Sequence, residues 1–406
     1  MDRHRPIYVL VGCLILVAGG ICAAQDWPQW RGPNRDGKAS GFVVPETWPE
    51  KLTQNWRVIV GVGDASPVLA AGRLYIHARQ GNEEIIMCLD AGTGDEIWRH
   101  GNPAPNVGGC ARSHPGPRST PVVADGKVVT LGAGGILTCL NVSGRVLWSK
   151  DPLPGIVPRF FAAMSPLVVG GSAIAHLGGA GNGALIAYDL ETGGERWRWT
   201  EDGPEYSSPV LMAVGGVFQV VTLTEKGIVG VSIVDGSLLW RLPFPPRRMA
   251  VNCTTPIIYG QTVIYTGQNR GTIAVKIERQ GDEFTATEVW NQPAHSTWYS
   301  TPIRSNNMLF GLSQHGRLFC LSAITGTQLW INDTKHDRFG TIIQTGSVFM
   351  VIAPRSPLIV FNAGTLSYNE IASYKVAATP VYAHPAVAGN AIYIKDQESV
   401  IKWTVE

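Results

Sequence analysis

A tryptophan-ended unit recurs along almost the whole chain and restricts the available folds more than any other feature. Its clearest copy, residues 187–197, reads A-Y-D-L-E-T-G-G-E-R-W. An aliphatic run ends in a small residue or cysteine, a polar turn with glycine follows, and a short strand then ends in Trp. Further copies end at Trp98, Trp148, Trp240, Trp290 and Trp330. Upstream of each Trp stands a Ser-Pro or Thr-Pro followed by an aliphatic residue, with the prolines at Pro67, Pro121, Pro166, Pro209, Pro256 and Pro302. Successive prolines are 54, 45, 43, 47 and 46 residues apart. A fixed period of about 40–50 residues built from short strands is the signature of propeller blades, each a four-stranded sheet.

The ends of the repeat region complete the count. A seventh repeat is degenerate: Thr341-Ile342-Ile343 replaces the proline marker, and Tyr374 stands where Trp is expected. Residues 53–58, with Trp56, read as the last strand of a repeat whose beginning is missing. Residues 384–387 (His384-Pro385-Ala386-Val387), 391–394 and 399–403 supply three strands of a blade without its last. The expected fold is therefore all-β, an eight-bladed β-propeller of four-stranded antiparallel blades. Pairing the N-terminal strand into the final blade closes the ring and removes an exposed sheet edge. The expected division is a signal peptide over 1–24, a non-repetitive cap over 25–50 and the propeller over 51–406.

The repeated turn has a physical logic. Gly94, Gly144, Gly193, Gly236 and Gly326 fall where a tight turn needs positive φ. Asp90, Asn141 and Asp189 are placed to cap turn amides. The indoles of Trp56, Trp98, Trp148, Trp197, Trp240, Trp290 and Trp330 are expected to dock on the neighbouring blade, each burial contributing roughly 2–3 kcal/mol. They are scaffold residues in this reading. Cys88, Cys139 and Cys320 share one register in different repeats, so they are expected to be small buried core residues too far apart to bridge. Cys110 and Cys253 follow no register, and a bridge between them stays open.

Arg3 and Arg5 precede an apolar run over 7–22, and small residues follow at Ala23-Ala24. This reads as a secretory leader expected to be cleaved near Ala24, with a retained anchor or a lipidated Cys22 as alternatives. Removing Arg3, Arg5 and Asp2 with the leader leaves 31 basic against 30 acidic residues. So balanced a chain carries no electrostatic footprint for nucleic acid or anionic lipid. Residues 26–37 (D-W-P-Q-W-R-G-P-N-R-D-G) match no repeat and are expected to cap one end of the propeller, with a ligand loop as the alternative. Trp48 is expected to pack with them.

The A-Y-D-L-E-T-G-G-E-R-W unit resembles the tryptophan-docking motif of quinoprotein dehydrogenases, the eight-bladed propellers that bind pyrroloquinoline quinone (PQQ). It is shared by non-enzymatic relatives, notably the BamB-type propeller of outer-membrane β-barrel assembly. The opening W-P-Q-W-R-G-P-N-R-D-G with its S-P-V and T-P-V repeats is similar to exported PQQ-like repeat proteins of that second kind. The dehydrogenases usually add a vicinal disulfide and a calcium site with a catalytic Asp. No Cys-Cys pair and no local Asp/Glu/Asn cluster of that kind stands in this sequence. The resemblance therefore implies a monomeric, non-catalytic propeller scaffold, exported to the periplasm or cell exterior, that binds envelope protein partners. No cofactor is expected. The alternative it implies is a PQQ- and calcium-dependent dehydrogenase of alcohols or sugars.

Residues just ahead of each marker should ring one mouth of the central channel. Candidate ligand or partner residues there are Arg112, Arg118, Tyr206, His295, Tyr299, Arg338 and His384. The mixture is polar and aromatic, suited to a small ligand or an extended peptide. No metal site is expected; His295 and His384, at comparable places in different repeats, are the alternative as a metal pair.

Overall fold

The computed structural model describes residues 26–247, 250–364 and 367–406. The leader expected over 1–24 lies outside them. Among the described residues no helix is long and apolar enough to cross a membrane, and the one helical element is a single 3-10 turn, Gly109–Ala111. Everything else regular is strand, arranged as eight blades of four antiparallel strands, one of which gains a fifth, parallel strand. The innermost strands of blades 1 to 8 are Val68–Ala70, Val122–Ala124, Leu167–Val169, Val210–Val214, Ile257–Tyr259, Ile303–Ser305, Thr341–Thr345 and Ala386–Ala388.

Closure occurs as the repeat grammar requires. Thr53–Ile59 pairs antiparallel with Ser399–Thr404 as the outermost strand of blade 8, with Thr53 opposite Thr404 and Ile59 opposite Ser399. The main-chain groups of both strands are thereby satisfied at the seam.

Between the third and fourth strands of every blade the register shifts by one residue. Such a bulge bends the outer strand and re-aims its side chains. In blades 1 to 6 it presents each Trp directly opposite a small residue: Cys88, Cys139, Ala187, Gly230, Ala274 and Cys320. That explains the small-or-cysteine rule of the repeat. A Cβ on Gly230, for example, would lie 2.1 Å from the indole nitrogen of Trp240. The three repeat cysteines are free and buried, as expected. Burial pushes the thiols up, to about 11 for Cys88 and about 12 for Cys139 and Cys320.

Each Trp then docks on the next blade. The indole N–H groups of Trp56, Trp98, Trp148, Trp197, Trp290 and Trp330 donate to the carbonyls of Gly92, Val142, Leu190, Ile233, Ala323 and Gly364 at 2.9–3.1 Å. The turn glycines lie flat on these rings, and all five expected ones have φ between +69° and +88°. Trp240 differs: its indole donates to Gln219 of its own blade. The physical reason lies in blade 5, where a long hairpin through Gly281-Asp282 joins Thr272–Gln280 to Glu283–Gln292 and no docking turn exists.

Blade 7 corrects one assignment. There Val360 faces Ala372 at the bulge, so Ala372, not Tyr374, holds the Trp position. Tyr374 lies two residues on and donates its hydroxyl to the Pro49 carbonyl. The junction with blade 8 is filled instead by Trp48 against Tyr374 and Phe42, and by Trp403, whose indole donates to Val376.

The opening segment enters the channel from one end, with both of its own ends beside the far ends of inner strands, at Ala71 and Gly389. Trp27 bridges Leu69 in blade 1, and the Val123 amide of blade 2 donates to the Pro28 carbonyl. Trp30 donates to the Thr255 hydroxyl of blade 5. Arg31 donates to the carbonyls of Thr301 and Pro302 in blade 6. Arg35 donates to Ser165 and Pro166 of blade 3 and to Pro209 of blade 4. Lys38–Ala39 adds a short parallel strand to the inner edge of blade 7, and Phe42 bridges Gly389 of blade 8. A segment of sixteen residues that touches the inner wall of all eight blades must lie on the ring axis, where it acts as a plug.

Candidate functional site

The Ser or Thr before each marker proline builds a belt around the channel mouth. The amide of His384 donates to the Ser66 hydroxyl, Ser66 to Thr120, Thr120 to Ser165, Ser165 to Ser208, and Thr255 to Thr301, all at 2.9–3.1 Å. Each hydroxyl thus accepts an otherwise unpaired amide from the blade before it, in a crowded place that excludes water. Between blades 4 and 5 the Thr255 hydroxyl instead receives the Trp30 indole of the plug.

Above the belt lies a cup of about 350 Å³ floored by Trp30 and His384. The third residue ahead of the marker proline lines it in seven blades: Asp64, Arg118, Ala163, Tyr206, Cys253, Tyr299 and Tyr382. Blade 7, without the proline, contributes Phe339 and Gly340. Arg118, Tyr206, Tyr299 and His384 of the expected residues therefore meet in one site. Arg112 and Arg338 are exposed and outside the lining, and His295 is buried in the linker between blades 5 and 6, its ring on Phe319 and its Nε2 at 2.7 Å from Gln328, both of blade 6. His295 and His384 are thus not at comparable places, and among the described residues no three His, Cys, Asp or Glu side chains cluster as a metal site would need.

Sequence reasoning missed Asp64, Phe160 and Tyr382. The first and last follow the spacing rule just given. Phe160 comes from the linker between blades 2 and 3, where no regular position marks it.

The cup's charged groups are already engaged. His114 Nδ1 is 2.8 Å from an Asp64 oxygen. Arg118 donates to the carbonyls of Phe160 and His114, both at 2.7 Å. The Tyr206 hydroxyl accepts the Phe160 amide, and burial pushes this phenol well above its usual value. His384, buried and next to Arg31, is held well below the usual imidazole range and stays neutral. Its Nδ1 has no hydrogen-bond partner among the described residues, while its ring meets Trp30 edge-on at 4.4 Å. His384 takes the belt position that blades 1 to 6 fill with Ser or Thr. Cys110 and Cys253 both line the cup and both are free thiols.

His114, Tyr382, Phe339 and Tyr299 form the rest of one wall, and Trp298 continues the aromatic row beyond the cup. His114, Tyr382, Phe339, Tyr299 and Trp298 make successive contacts with centroids 4.7–6.0 Å apart. Across the cup Phe160 faces Tyr206 at 6.0 Å. Tyr299 is 44% exposed, so this arc presents apolar surface to whatever enters the mouth.

The family model described as outer membrane protein assembly factor BamB matches residues 81–332. The chain belongs to this family. Among solved structures, BamB from Moraxella catarrhalis superposes with a TM-score of 0.64 at 15% identity, covering 87% of this chain and 97% of that one. Quinohemoprotein alcohol dehydrogenase from Comamonas testosteroni gives a TM-score of 0.71 at 14% identity, covering 94% of this chain and 80% of that chain. These likenesses concern the fold. In sequence, the serine/threonine-protein kinase AfsK of Streptomyces griseus is 25% identical over 276 residues, which is 65% of this chain and only 30% of that protein. The BamB family fold thus includes this chain, and dehydrogenases share its architecture.

Proposed function

We propose that the protein is an exported, non-catalytic propeller scaffold of the cell envelope that receives an extended segment of a protein partner in the cup. One observation carries this reading. The aromatic arc from His114 to Trp298 is presented at the mouth, while the polar groups around it are committed to one another. Aromatic side chains with a polar tip are efficient interface anchors because they bury much area with few rotors. Membership of the BamB family supports the scaffold reading, and the apolar run after Arg3 and Arg5 supports export.

A quinone with calcium would need carboxylate and amide donors for the metal and cations for the quinone's acid groups. The cup offers Asp64, engaged by His114, and Arg118, engaged by two carbonyls. Its cysteines stand on separate blades' loops, not adjacent. This donor set does not fit that cofactor, so no reaction step is assigned.

The test places a photo-crosslinking residue at Tyr299, Phe339 or, away from the mouth, Val234, in the cell that makes the protein. The same partner captured from Tyr299 and Phe339 but not Val234, and released by Tyr382→Ala, supports the reading. Dye-linked oxidation of an alcohol or sugar by the purified protein with PQQ and calcium would refute it.

A further inference from the structure

A second cavity, of about 260 Å³, lies on the other side of the plug tip, against the inner strands of blades 4, 5 and 6. Its wall is apolar on the blade side, with Val210, Leu211, Ile257 and Ile258. The remainder is strongly cationic: Arg31, Arg35, Lys38 and Arg304 against the single carboxylate of Asp36. Four positive charges thus surround one negative charge in a space partly removed from water.

The two plug arginines sharpen the imbalance. Arg31 and Arg35 are 1% and 5% exposed. Among the described residues all their hydrogen bonds end on neutral oxygens, the carbonyls of Arg35, Asp36, Thr301, Pro302, Ser165, Pro166 and Pro209 and the Gln29 amide. Carbonyl dipoles orient a guanidinium but do not cancel its charge. Burial lowers Arg31 to about 10 and Arg35 to about 9, and Asp36 restores only part of this for Arg31. Both nevertheless stay protonated near neutral pH. Lys38, half-buried, is lowered first by burial and then by the Arg304 charge. Its amide donates to Asp36, and its chain position is fixed by parallel pairing with blade 7. Arg304 stacks over Tyr259 at 4.5 Å and donates to the Asn306 carbonyl. Buried like charges raise each other's cost, and an anion within reach is the direct remedy.

From this geometry we infer that the cavity beside the plug is an anion site, built for a small multivalent oxyanion of the phosphate or polycarboxylate class. The cavity is large enough for a tetrahedral phosphate or a compact tricarboxylate, and Lys38 from the plug and Arg304 from blade 6 both line it. The bound anion ties the plug to the ring. Binding to the folded state alone stabilises by mass action. This inference is independent of the partner site at the cup.

Calorimetric titration of the whole protein, at constant ionic strength in chloride, tests it with inorganic phosphate in one arm and citrate in the other. Saturable one-to-one binding in at least one arm is expected, and the arm that binds names the class. Lys38→Gln, and separately Arg304→Gln, should weaken it at least tenfold while leaving the circular dichroism and the anion-free melting temperature close to the parent's. Tyr299→Ala, in the cup, should leave the affinity unchanged. No saturable binding in either arm overturns the inference. So does unaltered affinity in the Lys38 variant, or loss of binding in the Tyr299 variant.

Discussion

Replacing Gly193 by Ala tests whether the turn glycines dock tryptophans or merely turn the chain. Gly193 has φ +69°, and a Cβ there would lie 2.6 Å from Trp148 Cγ and 2.8 Å from its Cδ2. The ring cannot retreat freely. Trp148 is 7% exposed, its indole donates to the Leu190 carbonyl at 3.0 Å, and Tyr188 packs against it at 6.0 Å. Gly72 is the matched control, with φ +73° and nothing within 4 Å of the added carbon. Left-handed backbone costs an alanine about 1–2 kcal/mol at either site. Overpacking against a fixed ring adds about 1–3 kcal/mol at Gly193 alone. The Gly193 variant should therefore lose about 2–5 kcal/mol and the Gly72 variant about 1–2 kcal/mol. Urea unfolding followed by tryptophan fluorescence measures both, and the Gly193 variant should also shift the native emission. Equal losses at the two sites would refute the docking argument, since φ alone would then account for them.

Three further outcomes follow from the same structure. Trp56 is only half-buried, so Trp56→Ala should cost about 1–3 kcal/mol, less than the about 3–5 kcal/mol expected of Trp148→Ala; denaturant midpoints rank the two. Glu84 is buried and held near 7, so between its ordinary 4.5 and 7 the unfolded chain is ionised while the folded chain keeps the proton, and stability falls as pH rises through that window. His77 and His176, lowered by burial to about 4, act oppositely and lose stability as pH falls from 6.5 toward 4. Glu84→Gln should remove only the first slope, gaining roughly 3 kcal/mol at pH 8 relative to pH 4 in melting-derived stability. Arg35→Met should cost about 3 kcal/mol or more, because the carbonyls of Ser165, Pro166 and Pro209 lose their shared donor; a melting temperature within a degree of the parent's would contradict the plug's structural role.

The repeat alone determined the blades, their number and the closing strand. Its information is local: a proline that starts an inner strand, a glycine that must turn, a small residue facing Trp. Period and order then leave one way to satisfy every sheet edge, so residues 53–59 could be assigned to the last blade without coordinates. The exceptions show where local information ends. Ala372 and Tyr374 exchange roles because a bulge, invisible in the sequence, sets which residue faces the neighbouring blade. Trp240 keeps its strand position but loses its dock, because the dock belongs to the next repeat. The course of residues 27–42 was beyond the sequence for a stronger reason. Arg31 and Arg35 are held by main-chain carbonyls, which every residue carries, so nothing in the sequence marks their partners. The cup stood in between. Its spacing rule is written in the chain, yet Asp64 and Tyr382 lie about 320 residues apart, and only closure of the ring brings them to one mouth.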